Sequence, residues 1–440
     1  MPKIIIEKSD SEFYTAHSGL RLVGLMINEH SQLCRRINLL PGNPSASHAD
    51  AIRSYLGLLC TGKGDFEAVA GVRHDDWFKA ALGIRKVPSK ETLRQRFDRL
   101  AHPFDEAVQF ASIEMLKTVQ APVTALSTGH VPLDMDVFPM DNSNTRKEGV
   151  SRTYKGVDGY APIAAYLGEE GWCMGLDLRE GSQHSQKDFI PFLDKVILRS
   201  RRLTKKSLLA RLDSAHCALD TLVALRGHEK VSFIVKWNPR KANPWFWRDK
   251  AFAEGRVSEP RPGKRVAVMT VHETHEIKGK KYRFMRVVRV IERTIDRRGQ
   301  MLLVPDVDLE GWWTNLVLPE ERVIKLYEGH ATSEQFHSEI KTDLDMERLP
   351  SGKFATNALV LSCVGMAYNI LRLVGQWGLL GDNSPVRHKA KRRRIRTVIQ
   401  ELMTMAGRFV RSARQWKLRF GRHCPAYDAF MEVHAAFSPG

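Results

Sequence analysis

Val131-Pro132-Leu133-Asp134-Met135-Asp136-Val137-Phe138 reads as a strand in which apolar residues surround two aspartates spaced two apart. That spacing puts both carboxylates on one face. Strand-like runs follow at 160–167 and 172–178, and then a helical pattern over 187–199 carries Pro191 in its first turn, where a missing N–H does least harm. Residues 207–213 close a further strand on Asp213, with another helical stretch over 215–225 and an apolar run at 231–235. Strands mixed with helices predict an α/β domain.

Outward from this block the pattern changes on both sides. Residues 10–120 carry apolar side chains at three and four spacing, as in 51–59 and 106–116, with turn punctuation such as Pro41-Gly42-Asn43-Pro44. One of these helices, capped by Ser89, bears Arg94, Arg96 and Arg99; it fits either a DNA groove or a solvated basic face. Beyond 236 comes a stretch rich in Pro, Trp and basic residues, with Trp245 and Trp247 beside Arg240, Lys241 and Arg248. Alternating runs at 265–271 and 282–290 then predict antiparallel strands inserted into the domain. A helical pattern returns over 323–341 and, more apolar, over 356–376. Between 387 and 422 there are 13 Lys or Arg against the single acid Glu401.

The 68 Lys and Arg exceed the 50 Asp and Glu by 18. A polyanion is therefore the expected partner, with nucleic acid first among them. The six cysteines (Cys34, Cys60, Cys173, Cys217, Cys363, Cys424) form no CxxC pair, which argues against structural zinc and for reduced thiols in a cytosolic protein. No secretory-type segment opens the sequence, and the most apolar stretch, 358–380, is interrupted by Asn369, Arg372 and Gln376. A core helix is expected there, with no membrane partner.

The most specific segment is Tyr327-Glu328-Gly329-His330-Ala331-Thr332-Ser333-Glu334-Gln335-Phe336-His337-Ser338-Glu339-Ile340-Lys341. Seven residues make nearly two helical turns, so Tyr327, Glu334 and Lys341 share a stripe with His330 between the first two. Alone, this is also what an amphipathic helix with a polar face would show. With Asp134, Asp136 and Asp213 on strands, however, the acids make a hard oxygen site suited to Mg2+ or Mn2+, while Tyr, His and Lys suit contact with phosphate. His184 and His216 lie near these acids in sequence and fit either a phosphate contact or simple packing.

The stripe is similar to the Y-x2-R-x3-E-x6-K signature of DDE insertion-sequence transposases, with His330 where the family usually has arginine. Leu133-Asp134-Met135-Asp136, Arg211-Leu212-Asp213-Ser214, Arg348-Leu349-Pro350, and Ala355-Thr356-Asn357-Ala358 leading to Ala367-Tyr368-Asn369, with parts of 74–83 and 89–96, resemble insertion-sequence family 1380 in particular. The resemblance implies a ribonuclease-H-like mixed sheet with flanking helices, a β-rich insertion, and helical N- and C-terminal regions. The implied boundaries are 1–125 for DNA binding and dimerisation, 126–236 and 311–378 for the catalytic domain, 237–310 for the insertion, and 379–440 for the basic end.

Asp136, Asp213 and Glu334 are the implied metal ligands for two Mg2+ ions (Mn2+ substituting), supported by Tyr327, His330 and Lys341. Position favours Asp136 as the first acid. Because Val137-Phe138 follow it in place of the family's small residue and threonine, Asp134 stays as the alternative. The implied activity is cleavage at the ends of an insertion sequence and joining of 3′-hydroxyls to target DNA, by a homodimer on paired double-stranded ends in a bacterial cytoplasm, at the nucleoid. A nuclease without strand transfer and a non-catalytic DNA-binding derivative are the alternatives. Trp312 and Trp313, where the insertion rejoins the core, fit either a base-stacking or a buried role. Arg392, Arg393, Arg394 and the Arg408, Arg411, Arg414, Lys417 series fit either a grip on the DNA backbone or a solvated tail.

Overall fold

A computed structural model of the chain describes residues 4–41, 46–412 and 415–439. The turn residues Gly42, Asn43 and Pro44, and Arg414 of the basic series, lie outside the described residues.

The strand at the centre is β2 (Val131–Val137), preceded near the N-terminus by the short β1 (Phe13–Thr15). After β2 come β3 (Ile163–Leu167), β4 (Trp172–Asp177), β5 (Leu208–Leu212) and β6 (Val231–Lys236). β2 pairs in parallel with β5, and β5 with β6, whereas β3 and β4 run antiparallel on the other side. An antiparallel trio feeding a parallel pair through helical crossovers is the order that a ribonuclease-H-like sheet requires. β5 and most of β2 are buried on both faces, which is why they read as nearly continuous apolar runs.

Four longer strands continue the same sheet: β7 (Arg256–Arg261), β8 (Lys264–Ile277), β9 (Lys280–Ile295) and β10 (Met301–Thr314). The order is β7-β8-β9-β10-β6-β5-β2-β3-β4, joined where Trp312, Trp313 and Thr314 pair with Lys236, Val235 and Ile234. The insertion thus extends the central sheet, and β10 runs through position 311 without a break.

Helices pack on this sheet and on one another. In chain order they include α1 (His48–Leu59), α2 (Lys90–Arg99), α3 (Ala101–Thr118), α4 (Phe189–Leu203), α5 (Leu219–Gly227) and α6 (Pro244–Glu254). Then follow α7 (Glu320–Glu328), α8 (Thr332–Ser338) and α9 (Phe354–Gly378). α9 is long and apolar enough to cross a membrane by composition, but it is almost entirely buried between α3 and β4. Its Asn369 is satisfied there by both backbone groups of Cys173 and by Ser112, so the polar interruptions seen in sequence are core contacts.

The expectation of a helical C-terminal region is corrected in part. Strands β11 (Gly407–Ser412) and β12 (Gln415–Phe420) pair antiparallel, β11 also pairs with β1, and α10 (Tyr427–Phe437) follows. The physical reason is period: Phe409, Trp416, Leu418 and Phe420 alternate with basic residues, a strand pattern that the charge count hides.

Candidate functional site

The acids gather where β2 and β5 end. Asp136 is the penultimate residue of β2, and Asp213 follows β5 directly, capping a short 3-10 turn through the Ala215 N–H at 3.1 Å. His216 donates from Nδ1 to the same Asp213 oxygen at 2.9 Å. Glu334 arrives from the first turn of α8, is exposed, and makes no hydrogen bond or ion pair among the described residues. Asp136, Asp213 and Glu334 all line one cleft of about 1060 Å³, together with Tyr154, His184, Trp312, Tyr327 and His330.

The electrostatics mark this cleft as crowded with like charge. Burial, then Asp213 and more weakly Glu334, push the Asp136 carboxyl up to about 7, against the opposing pull of His330 and the Val137 N–H. Burial would also raise Asp213, but His216 and His330 hold it below the ordinary value. Burial and the same acids push the Tyr154 phenol up to about 12, and Tyr327 is raised by burial followed by Asp213 and Asp136.

Asp134, two residues from Asp136, lives in a different environment. It is buried, and against that burial Arg211 and His330 keep it ionised. Arg211 grips both its oxygens at 2.6 Å, and His330 donates from Nδ1 to one of them at 2.9 Å. Arg211 also reaches the Leu326 carbonyl at 2.8 Å, so the clamp ties β2, β5 and α7 together. Asp134 is not among the cleft-lining residues.

The helical stripe divides. Between α7 and α8 lies a 3-10 turn (Gly329–Ala331), and after α8 a π turn (Glu339–Asp343), so the pitch is not uniform. Tyr327, His330 and Glu334 face the cleft. Lys341 instead donates to the Pro139 carbonyl at 3.1 Å and pairs with Glu347 at 2.9 Å, bracing the chain after β2.

For both tryptophans the buried reading describes what is seen. Trp313 is 5% exposed with Arg286 4.5 Å from its ring centre, and Trp312 is 1% exposed between Arg289 and Tyr327. Neither ring offers an open face to a base. Each arginine of the 392–394 run is engaged by the protein itself, although only Arg393 is buried and Arg394 is exposed. Arg393 is buried and donates to the carbonyls of Leu379, His388 and Val386; Arg394 pairs with Asp343 at 2.9 Å; Arg392 packs over Phe336 and donates to Glu169 O. Arg96 donates to the carbonyls of Ala46 and Ser47. Arg94 and Arg411 are exposed, the latter beside the Trp416 ring, while Arg408 pairs with Glu12.

Sequence reasoning does not find Tyr154, Lys236, Arg289 and Glu310, which also line the cleft. Lys236 had a signal, because it ends the strand parallel to β5 and so points at the same sheet edge. Arg289 and Glu310 reach the cleft only because the insertion continues the sheet.

Among the described residues no three His, Cys, Asp or Glu groups are gathered closely enough to hold an ion as they stand. The donor chemistry nevertheless fits a hard divalent cation: three oxygen ligands, mutual repulsion that a cation would relieve, and no thiolate in the set.

Residues 43–439 match the family described as transposase DDE domain group 1. No curated protein matches the chain. Among solved structures it is similar to a piggyBac transposase synaptic complex with hairpin DNA, seen by electron cryomicroscopy, at 12% identity and a TM-score of 0.40 over 88% of this chain and 80% of that one.

Proposed function

This chain belongs to the group 1 DDE-domain transposases, and on that premise we propose that it cuts DNA at the ends of an insertion sequence and joins the freed 3′-hydroxyls to target DNA. The observation that carries the proposal is the set of three carboxylates, Asp136, Asp213 and Glu334, brought into one cleft, with Asp213 paired to His216 alone and Asp136 and Glu334 in no ion pair among the described residues. These residues would hold two Mg2+ or Mn2+ ions, which when bound activate the attacking oxygen and neutralise the leaving one. His216 fixes the orientation of Asp213 through Nδ1. Tyr327 and His330 face the scissile phosphate, and the Asp134–Arg211 clamp keeps their helix against the sheet. Asp134 is thereby a structural acid in this reading, and Asp136 the ligand.

The motif resemblance to insertion-sequence family 1380, the division into N-terminal, catalytic, inserted and C-terminal regions, a homodimer on paired double-stranded ends, and a bacterial cytoplasmic, nucleoid-associated setting belong to the same proposal. The test supplies purified protein with labelled DNA carrying the ends that flank its gene, plus magnesium, and resolves cleaved and joined strands on a gel. Cleavage and joining that vanish with Glu334→Gln while DNA binding persists are expected. Cleavage without joining would reduce the protein to a nuclease, and binding with no cleavage in magnesium or manganese would make it a DNA-binding derivative.

A further inference from the structure

One wall of the cleft is built by the insertion and carries charge of the opposite sign to the acids. Lys236 ends β6, Arg289 lies on β9, and Glu310 and Trp312 lie two apart on β10, on one face of the sheet. Glu310 is shared by both cations, accepting from Lys236 Nζ at 3.2 Å and from Arg289 Nε at 2.9 Å. Two positive groups against one negative leave a surplus of positive charge on this wall.

Trp312 adds a second and independent feature. Its side chain is 1% exposed, yet its indole N–H has no hydrogen-bond partner, although the residue lines the cleft. Indole nitrogen is a donor only, and a buried donor without an acceptor carries its full desolvation cost. The ring faces are already occupied, with the Arg289 guanidinium 5.2 Å from the ring centre and the Tyr327 ring 6.1 Å away. What remains is a buried N–H donor without an acceptor beside surplus positive charge, and the matching ligand is an anionic acceptor.

We propose that Trp312 Nε1, Lys236 and Arg289 form a subsite for a phosphate of the DNA strand flanking the scissile one. This rests on the transposase reading of the cleft, which supplies the strand. It gives Trp312 a role through its edge, in place of base stacking through its face. The inserted strands thereby contribute directly to substrate placement.

The experiment is single-turnover cleavage of end DNA in magnesium by the full chain, with uncharged methylphosphonates placed singly at positions around the cleavage point. At one flanking position the wild type slows by ~10-fold; Trp312→Phe, which keeps the ring and removes the N–H, is ~10-fold slower on ordinary DNA and loses nothing more at that position. Wild-type rates for Trp312→Phe, or equal methylphosphonate penalties in both proteins at every position, overturn the subsite. So does a penalty from an abasic nucleotide that Trp312→Phe abolishes, because that is stacking. Should Trp312→Phe show no cooperative melting, Lys236→Met takes its place in the same comparison. If the wild type cleaves no DNA at all, the transposase reading fails, and equilibrium binding of the same duplexes decides the subsite: discrimination against one methylphosphonate that the variant lacks supports it, and identical profiles overturn it.

Discussion

Glu334 and Glu339 stand five residues apart on one helical run, and they meet opposite fates. Glu334 is exposed in the cleft with no cation beside it, near Asp136 and Asp213. Glu339 is fully buried and paired with Arg372, whose guanidinium also contacts the Tyr368 hydroxyl at 2.6 Å and the Arg393 carbonyl at 2.5 Å. A few residues on, Asp343 is matched by Arg394. Charges under α9 are neutralised where they lie, whereas in the cleft Asp136 faces Asp213 and Glu334 with no ion pair of its own among the described residues. Burial of charge alone therefore does not set the cleft apart; acids crowded together, with Asp136 and Glu334 in no ion pair among the described residues, do.

Breaking each side of that comparison should give opposite phenotypes. Arg372→Leu leaves Glu339 buried and uncompensated, and denaturant unfolding should show a loss of about 3–5 kcal/mol. Glu334→Gln should change stability by no more than about 0.5 kcal/mol while abolishing cleavage.

The burial of Asp136, with Asp213 beside it, makes a pH prediction. Its folded pKa is raised to about 7, so the protonated form favours the folded state. The stability it contributes is complete below pH 4, where a free aspartate is also protonated, and is lost as pH rises through 7. In metal-free buffer, Asp136→Asn should match the wild type near pH 4 and exceed it above pH 7 by on the order of 1–3 kcal/mol in thermal or denaturant melts. A constant difference across that range would show that neither burial nor the neighbouring acids raise this carboxyl.

The smallest effects distinguish the two kinds of arginine near the C-terminus. Arg394→Ala should cost about 1–3 kcal/mol of stability, because Asp343 has a buried side chain, and should leave the salt dependence of DNA binding unchanged. Arg411→Ala should leave stability within about 0.5 kcal/mol and lower the salt slope by about one, if exposed Arg411 meets a phosphate.

These contrasts also explain what the sequence discloses. A strand closing on Asp213 and a pair of aspartates two apart on β2 are legible, because strand period and strand ends are local properties. Which of the pair is free is not, because Arg211, which neutralises Asp134, is 77 positions away. Arg392, Arg393 and Arg394 announce charge but not destination; the Leu379 carbonyl that engages Arg393 and the Asp343 carboxylate that engages Arg394 are set by tertiary packing. The antiparallel strands at 407–412 and 415–420 are hidden in the same way, because counting basic residues obscures the alternation that carries the structure. Lys236, Arg289 and Trp312 come together only because β7 to β10 continue the sheet of β2, β5 and β6.

The most direct measurement is equilibrium Mn2+ binding followed by the paramagnetic resonance of the free ion, at pH 8, for wild type, Asp136→Asn and Glu334→Gln. The account predicts binding by the wild type that weakens by at least ~10-fold in each variant, with folding intact by circular dichroism. Wild-type affinity in both variants would contradict it, because the unpaired carboxylates of the cleft would then not be the metal-holding group.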